Sequence, residues 1–383
     1  MEQEKSNFIK NYILNGMDET KELLENLGKI PAPSHHEDRR AQFCKRWFLS
    51  QGAQHVIVDD AKNVVCEINC ENAESIAVFM AHMDTVFEDE KEFSVRWENE
   101  RLYAPGIGDD TANLVNLMMT YKYLKKYENN LKKGILIVAN SCEEGLGNLD
   151  GCKEIFKNYG ERIDEFYSFD GYISQCTNRP VGSYRYKIDV KVTGGHSYAD
   201  FGRKNAIVEL SNIIQELYEI APPKDEKTTY NVGKIEGGST VNSIAEHACM
   251  LYEFRSESQK CLKEMKDKFY ETISKHKKED VEVKVEVIGI RPGSGWRDKE
   301  KLVKWTKKNV NIIKSCFDGE LDLKASSTDA NIPLSKGVFA NTIGTVIGGL
   351  AHTENEWIDF SSMKIGQEIA IRLVSQYLDR QIV

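Results

Sequence analysis

The chain has 383 residues, of which 40% are hydrophobic and 29% charged, with a formal net charge of −9. That length predicts two domains, and that composition excludes a disordered or fibrous chain. The acidic balance, relieved only by short basic runs such as Lys275 to Lys278, excludes nucleic acid as a general partner, because phosphate binding needs a basic footprint.

Residues 1 to 30 read as helix, with Phe8, Ile9, Tyr12, Ile13, Leu23, Leu24 and Leu27 at helical spacing, and Pro31-Ala32-Pro33 stops the run. The opening Met1-Glu2-Gln3-Glu4-Lys5 lacks the charged-then-apolar design of a signal peptide, and nowhere do eighteen apolar residues run consecutively. A cytoplasmic protein with no membrane partner is expected. Ser34, with Glu37 three residues on, predicts a capping box for a helix carrying Phe43, Trp47 and Phe48. A strand ending at His82, a helix from Thr111 to Tyr127 and a strand from Ile135 to Ala139 follow. This alternation predicts an α/β domain with a mostly parallel sheet and helices on both faces.

After Pro180 the texture changes to polar and apolar alternation, the mark of a sheet with one face in water. Strands are predicted from Tyr184 to Val192, Thr228 to Glu236, Ala245 to Arg255 and Val281 to Arg291, with helices from Asn205 to Tyr218 and Lys260 to Lys275. Residues 181–293 are therefore expected to form an inserted antiparallel α+β lid or dimerisation domain. Residues 1–180 and 294–383 would form the metal-binding catalytic domain, closed by a helix from Lys299 to Ser315, a strand from Val338 to Ile347 and a helix from Ser361 to Leu378. The nine cysteines show no Cys-x-x-Cys pairing and read as free thiols.

Metal-ligand residue types recur where apolar runs end. His82 and Asp84 close Ile76-Ala77-Val78-Phe79-Met80-Ala81, Asp109 and Asp110 follow Gly106-Ile107-Gly108, Glu143 and Glu144 follow Ile135 to Ala139, Asp170 follows Phe166 to Phe169, and His352 follows Gly348-Gly349-Leu350-Ala351. In open α/β sheets chemistry gathers outside the carboxyl ends of strands, and histidines and carboxylates arriving there from several strands are what a metal site requires. A dinuclear metallohydrolase is the reading. Asp84, two residues from His82, would fix that ring's tautomer. Of Glu143 and Glu144, one can bind metal while its neighbour serves as general base toward an activated water.

In this order the motifs resemble the dinuclear zinc aminoacylase, carboxypeptidase and tripeptidase family: His82-Met83-Asp84, Gly106-Ile107-Gly108-Asp109-Asp110, Glu143-Glu144, Asp170 and His352, across nearly the whole chain. The resemblance implies His82, Asp109 and Asp170 as ligands on one side of a metal pair, Asp109 bridging, and Glu144 and His352 on the other. It makes Glu143 the base and leaves Asp110 as a ligand neighbour or a supporting acceptor. Val192-Thr193-Gly194-Gly195-His196-Ser197 resembles the family's lid motif, whose histidine polarises the substrate carbonyl, often in the site of a dimer partner. Asn242 and Arg291 resemble lid groups that hold substrate oxygens, although an Arg beside Pro292 is equally a surface residue. The chain departs from the family at Thr111-Ala112, where many members have Lys-Gly, and Asp170, where deacylases often carry Glu, leans toward a peptidase. His35, His36, His55 and His276 read as surface residues, His247 as part of a lid strand, and Arg255 as structural.

The implied function is an exopeptidase acting on small peptides with two divalent ions, zinc first and cobalt or manganese as substitutes. The same chemistry on an N-acyl amino acid is the alternative. A non-catalytic binding protein is the reading from a different class, and it would lack a base or a ligand.

Overall fold

The computed structural model describes residues 2–88, 91–296 and 298–379. The chain divides into two compact units, Met1–Arg179 with Trp296–Val383, and Pro180–Gly295.

The first unit is built on a seven-stranded sheet. Its strands lie in the order His55–Val58, Val64–Ile68, Gly134–Asn140, Ile76–His82, Ile163–Phe169, Phe339–Ile343 and Cys176–Thr177. The four strands from Gly134–Asn140 to Phe339–Ile343 run parallel and the flanking strands pair antiparallel. Ile76–His82 and Gly134–Asn140 are buried along their whole length, which is why they read as unbroken apolar runs. Phe79, Ile135, Ile137 and Tyr167 belong to the core on one face, and Val78, Met80, Leu136 and Phe166 to the core on the other. The helix Ala112–Lys125 is buried around nearly its whole circumference, packed on Ile76–His82 and on the closing helix Met363–Val374.

Three local expectations fail for identifiable reasons. The N-terminal helix breaks at Gly16 into Glu2–Asn15 and Met17–Gly28, and a Cβ at Gly16 would lie 2.9 Å from the Met119 methyl. Ser34 does not cap the helix Asp38–Ser50, because the helix begins only after Glu37, and the Ser34 hydroxyl donates to Asp84. Most of the expected return strand from Val338 to Ile347 is Phe339–Ile343, whereas Ile347–Gly349 leaves the main sheet for a small antiparallel one. The strand order there is Ile347–Gly349, Trp357–Asp359, Arg101–Tyr103 and Arg96–Glu98.

The second unit is a four-stranded antiparallel sheet in the order Thr228–Gly237, His247–Ser256, Gly182–Lys191 and Glu282–Arg291. The helices Ala206–Glu219 and Gln259–His276 pack on it. Burial alternates residue by residue along His247–Ser256, as one covered face requires. His276, expected at the surface, is buried at the end of its helix, 3.1 Å from Glu216. The core of this unit is an aromatic stack, with the Phe269 ring 4.2 Å from Tyr186 and 5.7 Å from Tyr252. Replacing a buried Phe by Ala costs about 3–5 kcal/mol. Phe269→Ala should lower the denaturation midpoint of this unit accordingly, and an unchanged midpoint would show that the stack does not carry the core.

Candidate metal centre

The parallel register sets the site. His82, the last residue of its strand, stands opposite Asn140, and the Met83 N–H donates to the Asn140 carbonyl at 2.7 Å. The two chains therefore leave the sheet side by side. Asp84 then meets the Glu143-Glu144 turn: its Oδ1 accepts from the Glu143 N–H at 3.0 Å and its Oδ2 from the Glu144 N–H at 2.8 Å and the Ser34 hydroxyl at 2.6 Å. The turn is closely packed, since a Cβ on Gly147 would fall 2.6 Å from the Cys142 Cα. Glu37 supports it from behind, accepting from the Cys142 N–H at 3.0 Å.

Asp84 was expected to orient His82 through its carboxylate. The nearer contact to the His82 Nδ1 is the Asp84 backbone carbonyl at 3.0 Å, with Oδ1 at 3.5 Å. A ring nitrogen facing a carbonyl must carry a proton, so Nδ1 donates there and Nε2 is the nitrogen turned toward the site. That Nε2 lies 3.0 Å from Asp109 Oδ1. The other Asp109 oxygen, Oδ2, lies 3.1 Å from His352 Nε2, which is also 3.2 Å from Glu144 Oε1. Asp109 is thus divided between the two imidazoles.

Asp110 is tied to protein donors on both oxygens. Its Oδ2 accepts from the His82 backbone N–H at 2.9 Å and its Oδ1 from the Asn113 side chain at 2.6 Å, so it holds the end of the strand. Asp170 follows the strand Ile163–Phe169 directly, its N–H donating to the Ile343 carbonyl at 3.1 Å.

Ligand atoms of His82, Asp109, Asp110 and Asp170 lie within 4.8 Å of one another, as do those of His82, Glu143 and Glu144, and those of Asp109, Glu144 and His352. The charges are poorly balanced. Burial, then the Asp109 carboxylate, pushes Asp170 up to about 7, while hydrogen bonds to Asp109 and Glu144 hold the His352 imidazole up at about 10. Burial opposes ionisation of Asp109, but the two imidazoles hold it below the usual carboxylate range. An excess of oxygen donors with two imidazoles, converging without enough positive charge, is the donor set of a divalent cation site.

Three residues that sequence reasoning missed complete the surroundings. Arg40 is fully buried and donates to the Ile30 and Met83 carbonyls and the Thr111 hydroxyl. Asp329 accepts from the Asn140 side chain at 2.6 Å. Glu356, also fully buried, accepts three backbone N–H groups of the Asp109 loop. Only Glu356 carried a signal, its position four residues after His352.

The remaining expected site residues lie in the second unit. His196 is exposed, in a two-residue pairing with Ser243–Ile244, and its Nδ1 accepts from the Tyr198 and Ala199 N–H groups, each at 3.3 Å. The neutral ring then bears its proton on Nε2, as a donor. Asn242 is brought beside it, because the Ser197 N–H donates to the Asn242 carbonyl at 3.0 Å. Arg291 is not brought there. It is buried rather than at the surface, and it pairs with Ser183 at the opposite end of the strand from Lys191. Eight residues of strand at about 3.3 Å each separate the two ends by roughly 26 Å.

Residues 78–376 match the model of peptidase family M20/M25/M40. The chain belongs to this family. It is a metallopeptidase-class hydrolase acting on peptide or amide bonds. Among relatives, the uncharacterized protein YqjE of Bacillus subtilis is 25% identical over 93% of this chain and 98% of its own. A LysW-lysine/LysW-ornithine hydrolase of Saccharolobus solfataricus is 24% identical over 90% and 92%. The aminopeptidase PepT of Bacillus cereus shares the fold, with a TM-score of 0.72 at 20% identity, covering 96% of this chain and 98% of that one.

The Ser34 hydroxyl makes a hydrogen bond to a buried carboxylate, worth about 1.5–3 kcal/mol. Ser34→Ala should lower stability toward urea by an amount at the low end of that range, since Ser34 is only half-buried. A variant as stable as the parent would show that the two backbone N–H groups suffice for Asp84.

Proposed function

We propose that the chain is a dinuclear metal-dependent exopeptidase of small peptides, with His82, Asp109 and Asp170 holding one ion, Glu144 and His352 the other, and Asp109 bridging. The observation that carries this reading is the Asp109 carboxylate placed between His82 and His352, one oxygen toward each. Two bound divalent ions, zinc by donor type with cobalt or manganese as substitutes, would supply Lewis-acid polarisation of the scissile carbonyl and a more acidic attacking water. Glu143 takes the proton of that water and passes it to the leaving amine nitrogen. Its backbone N–H is fixed by Asp84, as is that of Glu144, which sets the two carboxylates side by side for their different work.

Peptides are favoured over N-acyl amino acids by Asp170, and one relative over 90% of this chain is a hydrolase of LysW-lysine and LysW-ornithine. The deacylase reading shares every residue of the centre and differs in the substrate pocket alone. A panel of dipeptides, tripeptides and N-acetyl amino acids separates them.

The second unit serves as a lid that closes through the segments at its two junctions, and as a dimerisation surface. Its His196 polarises the carbonyl, with Asn242 and Arg291 on substrate oxygens. His196 with Asn242 and Arg291 lie toward opposite ends of this unit's sheet, which supports a substrate held between two copies of the chain. The exposed rings of Tyr198 and Phe201, each 89% accessible beside His196, supply apolar surface for such a contact.

Three measurements test the reading. Protein purified without added metal should hold two divalent ions per chain and lose activity on exhaustive chelation; activity surviving chelation would sink it. Glu143→Gln should keep both ions and lose on the order of 100- to 10,000-fold in turnover, whereas Glu144→Gln should lose metal, and the reverse outcome would exchange their roles. His196→Ala should cut turnover at unchanged metal content; full activity on every substrate found would leave it an ordinary loop residue.

A further inference from the structure

Glu356 stands where its charge is least welcome. It is fully buried, and its carboxylate is held against the backbone of the loop that carries the Asp109 carboxylate. Two carboxylates at close range repel by several kcal/mol even at an effective dielectric of about 20, so a buried one persists only where something specific holds it. Here that is backbone. The Glu356 Oε1 accepts from the Gly108 N–H at 2.8 Å and from the Asp109 N–H at 2.7 Å, and Oε2 accepts from the Gly106 N–H at 3.0 Å. Its own carbonyl accepts from the Ala104 N–H at 3.1 Å, so both ends of the residue bind the same loop.

The other partners of Glu356 lead to the second imidazole. Its N–H donates to the Thr353 carbonyl at 3.1 Å, and Thr353 closes the turn on Leu350 that contains His352. Its successor Trp357 pairs with Tyr103, the strand residue that leads into the Asp109 loop. One side chain therefore joins the loop that carries Asp109 to the turn that carries His352. The fit is tight, because a Cβ on Gly108 would lie 2.9 Å from Glu356 Oε1 and 3.0 Å from the Tyr172 ring.

We propose that Glu356 is a positioning residue of the metal centre, an anion clamp that fixes the Asp109 backbone and thereby the separation between Asp109 and His352. This rests on the metal reading above. A carboxylate bridging two ions tolerates little displacement, and loss of a group that orients ligands typically lowers metal affinity by 10- to 100-fold. The carboxylate holds the Asp109 loop without itself touching substrate, so its effect runs through metal affinity before chemistry.

The test is competition of the purified protein with a chelator for zinc, read as the affinity of each of the two ions, beside the thermal midpoint of the metal-free protein. Glu356→Gln should fold and bind zinc about 10- to 100-fold more weakly, with the exposed neighbour variant Glu354→Gln indistinguishable from the parent. Gly108→Ala, which displaces the clamp while leaving its charge, should weaken zinc in the same direction and keeps the test open if Glu356→Gln does not fold. A lowered midpoint with parental zinc affinity in both variants would make Glu356 a structural residue only and overturn the proposal. Asp109→Asn is the control for the centre itself: if it too binds zinc as tightly as the parent, the metal reading fails and the clamp with it.

Discussion

Like charges packed at the exits of a parallel sheet are the constraint around which the first unit is organised. Unit charges 4 Å apart repel by about 4 kcal/mol at an effective dielectric of 20, and the ligand atoms gathered here lie within 4.8 Å of one another. Two layers of compensation are visible. In the rear layer, Asp84, Asp110 and Glu356 are satisfied by backbone N–H groups, by Asn113 and by the Ser34 hydroxyl. In the front layer, Asp109 and Glu144 face the imidazoles of His82 and His352, and Asp170 is crowded by the Asp109 carboxylate. The division gives adjacent aspartates, identical in chemistry, different partners: imidazoles for Asp109, and the His82 N–H and Asn113 for Asp110.

The rear layer also explains how segments far apart in sequence meet with small tolerances. Asp84 takes its register from the pairing of Ile76–His82 with Gly134–Asn140, then imposes that register on the Glu143-Glu144 turn. The small sheet does the same for Asp109 and His352, because Arg101–Tyr103 and Trp357–Asp359 pair directly. Rigid pairing places each backbone, and a buried anion fixes the loop that leaves it.

Much of this could be read from the residues alone. The central strands announce themselves as unbroken apolar runs, the antiparallel strands of the second unit as alternation, and the metal-ligand types as the polar residues that end those runs. What escaped depended on contacts across long separations. Ser34 and Glu37 satisfy a capping pattern, yet the helix begins only at Asp38, the Ser34 hydroxyl donates to Asp84, and the Glu37 carboxylate accepts from Cys142. Ile347–Gly349 was absorbed into the preceding strand because two short strands joined by three residues look like one apolar run. The hairpin from Arg96 to Tyr103 is too short and too charged to show a period, and His352 was read as leaving a central strand when it sits in a turn of that small sheet. Arg40 falls on the same helix face as Phe43, Trp47 and Phe48, but a charged residue there gives no sign of its partners, and only the fold reveals that its guanidinium is buried on Met83 and Thr111.

The chain order of these elements has a bearing on biosynthesis. Every strand of the second unit lies within Pro180–Gly295, whereas the first unit waits for Phe339–Ile343 to complete its parallel sheet and for His352 to complete its charge balance. During synthesis, the contiguous unit has all its pairing partners while the earlier one still exposes an open strand edge and a cluster of unneutralised carboxylates. Non-local pairing of this kind is slow and leaves intermediates prone to association. In that order the carboxylates of Asp109 and Glu144 are made long before His352, the imidazole that comes to lie against both.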